Sequence, residues 1–283
     1  MARLRPPRAP ELMEYPSMPT RYKLTIAYDG TAYSGWQRQP DPVRTVQRAV
    51  EKAAGEIVNH PVTVSGSSRT DSGVHAMGQV AQMDVTTHIE PARLRMAINS
   101  RLPADILIRR LEPVEPEFDV SRAVQKRYRY LIWADRDRPV FHRYFVYHFW
   151  PRLNLETMRE SCKQFVGTHD FAAFQGRGDD RQTTTRTIFH CGIHRRGPLV
   201  IFSVEGSGFL YHMVRNMVGT VLETGRGRWP ATQVAQLLDA GEQGECGPCA
   251  PASGLCLQWI RFAAHASADA LAGMPGLESE GLI

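Results

Sequence analysis

The 283-residue chain contains no apolar run approaching the roughly eighteen residues that a membrane helix requires, so no membrane partner is expected. Its opening, Met1-Ala2-Arg3-Leu4-Arg5-Pro6-Pro7-Arg8, is basic but lacks the apolar stretch of a signal peptide, which makes a cytoplasmic location the expectation. Lysine is scarce: Lys23, Lys52, Lys126 and Lys163 are the only four among 34 basic residues. Arginine brings planar, bidentate contacts to phosphate and stacks on bases, although a coding-composition bias would give the same preference. With a net charge of +5, the balance suits a polyanionic partner. Five cysteines are an odd number and are poorly spread for a disulfide framework. Cys246-Gly247-Pro248-Cys249 has the spacing of half a zinc knuckle, but no second pair and no histidine lies near it in the chain, so no metal is expected. Cys162, Cys191 and Cys256 fall on apolar or alternating positions, as small core residues do.

What is present is an ordinary globular composition, 42% hydrophobic and 22% charged, in a chain long enough for a substantial core. Residues 1–19 are rich in proline and arginine without periodicity and are expected to form a flexible basic tail. Strand-type alternation follows at 22–28, where Tyr22, Leu24, Ile26 and Tyr28 share a face. A helix to about Val58, with Thr45 as N-cap, carries the stripe Val46, Ala49, Val50, Ala53 and Ile57. Short strands at 62–64 and 79–85 flank a turn-rich loop. Pro91 opens a second helix with Leu94, Ile98 and Leu102 inward, and a strand at 105–111 closes the unit.

This β-α-β-β-α-β order is the ferredoxin-like arrangement. After a proline- and acid-rich connection at 112–117 the pattern recurs, beginning with a strand at 126–133. A helix capped by Asn154 follows, with Leu155, Met158, Cys162, Phe165 and Val166 inward. Then come a hairpin of 187–195 and 199–206, a long helix over 209–224, a shorter one near 231–239 and a last strand at 255–262. The expected fold class is α+β: two ferredoxin-like units, 20–115 and 116–265, joined into one mixed, mainly antiparallel sheet with helices on one side and a central cleft. Residues 266–283 are expected to be a C-terminal tail, with Leu271, Leu282 and Ile283 available to dock on a partner.

The loop from Ser65 to Ala76 is built of small, turn-prone residues, yet it carries an arginine, a carboxylate and a histidine within seven positions. A neighbouring cation such as Arg69 favours the ionised form of Asp71, and an ionised carboxylate serves as nucleophile or base. Capping a turn is an equally simple use for Asp71. On the 209–224 helix, Leu210, Met213, Val214, Met217, Val218, Val221 and Leu222 form a buried face. His212, Arg215, Asn216 and Gly219 share the other side, where Gly219 leaves room for a close approach and Arg215 fits a surface charge by pattern alone. Lys126-Arg127-Tyr128-Arg129-Tyr130 interleaves aromatics with cations on a strand, which makes either a surface for single-stranded bases or a pair of core tyrosines. Trp36 is balanced in the same way between core and RNA contact.

Read as a string, Gly66-Ser67-Ser68-Arg69-Thr70-Asp71-Ser72-Gly73-Val74-His75-Ala76 closely resembles the catalytic motif of the TruA-type tRNA pseudouridine synthases, with Ser67 and Ser68 where that family often has alanine and glycine. Tyr28-Asp29-Gly30 followed by Gly35-Trp36-Gln37-Arg38-Gln39 resembles the opening signature of the same family. So do His212-Met213-Val214-Arg215-Asn216-Met217-Val218-Gly219 and Gly167-Thr168-His169-Asp170-Phe171-Ala172-Ala173-Phe174 with respect to later signatures. The resemblance implies that Asp71 is the catalytic residue, that Arg215 pairs with it, and that Tyr128 stacks on the target uracil. Lys126 stands where many relatives have arginine. It further implies isomerisation of uridine to pseudouridine in the anticodon arm of transfer RNA, at the uridines conventionally numbered 38 to 40, by a homodimer.

That chemistry breaks the C1′–N1 bond and rejoins the base through C5, so it requires neither a nucleotide cofactor nor any other. Asp71 would attack either C6 of the ring or C1′ of the ribose. Arg69 is the candidate to fill the helical stack when the nucleotide is everted. Two other classes remain. A nucleoside or glycosidic hydrolase needs a second acid, for which Asp84 and the Asp179-Asp180 pair are the options. A non-catalytic RNA-binding module would use the same aromatic sheet without Asp71 chemistry.

Overall fold

A computed structural model of the protein describes residues 18–178, 183–241 and 245–263. The basic N-terminal tail ahead of residue 18, the Asp179-Asp180 pair and the C-terminal tail lie outside the described residues. The first unit runs β1 (Thr20–Tyr28), α1 (Val46–Val58), β2 (Val64–Gly66), β3 (His75–Val85), α2 (Pro91–Asn99) and β4 (Ile106–Pro113). The second runs β5 (Ala123–Trp133), β6 (Tyr147–His148), α3 (Leu155–Gln164), β7 (Gly167–Asp170), β8 (Thr185–Arg196), β9 (Leu199–Gly206), α4 (Met213–Gly225), α5 (Gln233–Ala240) and β10 (Leu255–Phe262).

Alternation in β1 sends Tyr22, Leu24, Ile26 and Tyr28 to one face, where all four are buried. Leu94 and Ile98 of α2 close over that face, and the Asn99 amide exchanges two hydrogen bonds with the backbone of Ile108, 2.9 and 2.8 Å, locking the helix to β4. In the second unit Phe165, Phe171, Phe174 and Phe202 are fully covered. Burial of each such side chain is worth about 1.5–3 kcal/mol, so the Gly167–Phe174 signature is first of all a packing signature.

The strands make one sheet. Its first half has the spatial order β4-β1-β3-β2 and its second half β10-β5-β9-β8, both antiparallel and both the ferredoxin-like order, with β7 added at the far edge and β6 alongside β5. The halves meet where β10 runs parallel to β3, pairing Cys256 with His75 and Leu257 with Ala76. One edge of β3 is therefore used twice, by β10 near its start and by β2 around Ala81 to Met83.

Several local expectations shift. The strand expected from Gln79 begins at His75, because its first residues pair with β10, a partner far away in the chain. The strand expected at 62–64 lies at Val64–Gly66. The helix expected from Phe209 begins only at Met213, since His212 adopts a left-handed backbone conformation with φ of 60°. Thr45 flanks α1 but makes no capping hydrogen bond, whereas Asn154 caps α3 as expected, accepting from Glu156 N and Thr157 N at 3.0 and 3.2 Å. Val166 falls beyond the end of α3 and is exposed rather than inward. Cys162 and Cys191 are buried, and Cys256 is half-buried on the opposite face of the sheet from Leu257.

Candidate active site

The loop between β2 and β3 is held from below by the first unit itself. Trp36, fully buried, donates its backbone N–H to Thr70 O at 3.1 Å, and the Tyr28 hydroxyl meets Thr70 Oγ1 at 2.7 Å. Gly35, at φ of 86°, lies so close beneath the loop that a Cβ there would stand 2.6 Å from Thr70 O. Gln79 grips the backbone of Ser68 from both sides, accepting from its N–H at 3.2 Å and donating to its carbonyl at 2.6 Å. Trp36 is thus a core residue that supports the loop, not an RNA contact.

The loop turns tightly at Asp71, whose carbonyl accepts from Val74 N at 3.1 Å. That turn swings the Asp71 carboxylate inward, to 16% exposure, and leaves Arg69 pointing to solvent. The expected cation beside Asp71 is therefore not Arg69. Arg215 of α4 fills that place, with Nη1 at 3.2 Å from Asp71 Oδ2. An arginine on a rigid helix makes a half-buried carboxylate tolerable.

His212 was not singled out as an ionisable neighbour of the acid, yet its Nε2 lies 3.6 Å from the same Asp71 oxygen. Its position three residues before Arg215 in the sequence, which a helix from Phe209 would have put on the face of Arg215, is the signal that points to it. Burial lowers the proton affinity of His212; Arg215 acts in the same direction, and the Asp71 carboxylate opposes both. The ring stacks on Tyr211 at 3.8 Å between centroids.

Helix α4 is fixed by the second unit. Asn216 donates to Phe174 O at 2.8 Å, tying the helix to the Gly167–Phe174 signature. Of the two tyrosines on β5, Tyr130 is a core residue with no exposed surface. Tyr128 is 6% exposed; its ring meets Phe209 edge-on at 5.2 Å, and its hydroxyl contacts Ser68 Oγ at 2.9 Å. Lys126 from the same strand donates to Ser67 O at 2.6 Å. The second unit therefore reaches the loop through Lys126, Tyr128 and Arg215 together.

These residues line a hollow of about 780 Å³ between the units, in which Asp71, Arg215, Tyr128 and Arg69 all take part. Among its described lining residues Asp71 is the sole carboxylate. Asp84, an option for a second acid, sits elsewhere and is held by Arg21 through two hydrogen bonds of 2.8 Å. No group of three or more His, Cys, Asp or Glu side chains converges as a metal site among the described residues. The arrangement can offer a held carboxylate to an electrophilic carbon beside an aromatic ring.

The model of the tRNA pseudouridine synthase family matches residues 24–121 and 161–263. A tRNA pseudouridine synthase A 2 of Clostridium perfringens is 42% identical over 241 residues, covering 85% of this chain and 98% of its own length. A tRNA pseudouridine synthase A of Acetivibrio thermocellus is 40% identical with the same coverage, and one of Streptococcus thermophilus is 40% identical over 86% of this chain and 99% of its own. The chain belongs to the tRNA pseudouridine synthase family.

Proposed function

We propose that Asp71 is the nucleophile in this protein's conversion of uridine to pseudouridine in transfer RNA. Family membership makes the protein an isomerase of that kind. The observation that carries the residue assignment is the 3.2 Å ion pair between Asp71 of the first unit and Arg215 of the second, lying in a hollow that both units line. Arg215 keeps the carboxylate charged and aimed. Tyr128, on the wall of the same hollow, stacks on the uracil and assists loss of the C5 proton. Arg69, exposed at the loop surface, enters the stack that the everted nucleotide vacates.

Substrate and product have the same atoms. Attack by Asp71 at C6 or C1′ goes with cleavage of C1′–N1, rotation of the base and formation of C1′–C5. The bond to Asp71 then breaks to return the carboxylate, and C5 gives up its proton while N1 takes one up. No electron acceptor or phosphate energy enters, so the chemistry calls for no cofactor. The uridines we assign are 38 to 40 of the anticodon arm, and the location is cytoplasmic; no helix among the described residues is long and apolar enough to cross a membrane. The units 20–115 and 116–265 act as the two walls of the cleft.

A homodimer belongs to the same proposal. On the sheet face that carries Cys256, away from the catalytic hollow, Met77, Leu107, Leu131 and Phe145 surround an apolar recess of about 400 Å³, surface suited to a second copy. Among the described residues that line the hollow Asp71 is the sole carboxylate, so none of them offers the second acid that the hydrolase reading needs. The deciding experiment incubates the pure protein with unmodified transfer RNA and maps the altered nucleotide. Pseudouridine is the expected product, and Asp71→Asn is expected to abolish it while RNA affinity holds. Release of free uracil would favour a hydrolase, and an unimpaired Asp71→Asn enzyme would remove the nucleophile assignment.

A further inference from the structure

The segment that contains Cys246 and Cys249 has no part in the chemistry above, and the pair has no further metal ligands beside it among the described residues. Its place in the fold gives it another use. Gly247 donates its N–H to the buried Thr220 Oγ1 at 3.0 Å. At the next residue, Pro248 passes directly over Gly219, so near that a Cβ on Gly219 would collide with the Pro248 carbonyl oxygen. A Cβ on Gly247 would likewise stand 2.6 Å from Thr220 N. Two glycines, one on the helix and one on the crossing segment, thus let backbone lie on backbone. The far end is tied down by the buried Tyr130, whose hydroxyl donates to Pro251 O at 2.7 Å.

Between those anchors the segment grips Arg215 twice. Ala250 N donates to Arg215 O at 3.2 Å, and Arg215 Nε donates to Ala250 O at 2.7 Å. The same guanidinium presents Nη1 to Asp71. With Nε held by a backbone carbonyl and Nη1 on the carboxylate, the planar fork is fixed at two points. The thiols stay out of this: burial pushes Cys246 up to about 11 and raises Cys249 as well, so both are neutral near pH 7.

We propose that residues 247–251 are a positioning strap, which sets the orientation of the Arg215 guanidinium through the Ala250 carbonyl and so places Asp71 for attack. The proposal rests on the reading of Arg215 as the partner of Asp71. Geometry set this way acts on the chemical step more than on RNA binding, and a displacement near 1 Å costs on the order of a hundredfold in rate.

The test compares four variants by steady-state and single-turnover kinetics on transfer RNA. Arg215→Lys keeps the charge but has no fork to span Ala250 O and Asp71. Its kcat should fall to within about threefold of that of Arg215→Ala, with RNA affinity kept. Gly247→Ala forces the strap off Thr220 and should lower kcat by about tenfold or more while KM is unchanged. Gly197→Ala, in the β8–β9 turn at φ of 57° with nothing within 4 Å of its Cβ, is the control for lost stability alone. An Arg215→Lys enzyme of nearly full activity, or a Gly247→Ala enzyme no slower than Gly197→Ala at a matched thermal midpoint, overturns the strap. Activity surviving in Asp71→Asn or Arg215→Ala would instead sink the catalytic assignment beneath it.

Discussion

Ser68 meets Tyr128 across 60 positions of sequence, hydroxyl to hydroxyl at 2.9 Å. In the related motif this place is often glycine, so the contact is a property of this chain's own residues. A buried hydrogen bond of this kind contributes about 1 kcal/mol, enough to fix which way the phenol points. Ser68→Ala is expected to slow the chemical step by roughly fivefold, the rate equivalent of about that energy. In a Tyr128→Phe background the same change should do nothing. Additive losses in that double-mutant cycle would show that the hydroxyls act separately. Asp71, Arg215 and Tyr128 were legible in the sequence because each sits in a recognisable string. The Ser68 contact was not, because it depends on β5 being carried to the loop by strand pairings that no local pattern encodes. The i−2 neighbour Arg69 misled for a related reason: a turn separates side chains that sequence places close together.

Periodicity located the longer strands and helices with errors at their starts, and missed the short strands β6 and β7 altogether. β3 begins four residues early because β10 extends it, and α4 begins four residues late because Phe209 to His212 form the turn that brings His212 to the acid. The boundary errors thus fall where an element is shaped by a remote partner or by the site itself. The Gly35 turn shows the same dependence on tertiary contact. With φ of 86° and Thr70 O within 2.6 Å of a notional Cβ, Gly35→Ala is strained in backbone and blocked in space. It should cost about 1–3 kcal/mol of stability and displace the Thr70-Asp71 backbone. Denaturant unfolding combined with turnover of the surviving folded enzyme measures both effects; a loss of stability with full turnover would mean that the loop is set without the Gly35 turn.

For the whole molecule, two bulk properties follow from charge. His75 is buried, which lowers its proton affinity despite Asp29 at 3.1 Å. The unfolded chain therefore binds that proton more readily than the folded one. Stability contributed this way is present above the ordinary histidine value of 6.5 and is lost as pH falls through it toward the depressed folded value. The thermal midpoint should drop between pH 7 and pH 5, and less so in His75→Gln; a flat profile in the parent protein would contradict this. Binding of transfer RNA should weaken with salt, log affinity falling by about 0.7–0.9 per phosphate contact for each unit of log salt. Salt-independent affinity would remove phosphate contacts from the account.

The seam between the halves carries a consequence for biosynthesis. Its only parallel rungs come from β10, the last of the described strands to leave the ribosome, and β10 also follows the strap. A nascent chain arrested before residue 255 already owns its acid and its guanidinium, but on lobes that no strand pairing yet joins. Competence to modify RNA is therefore expected only once translation supplies the closing strand.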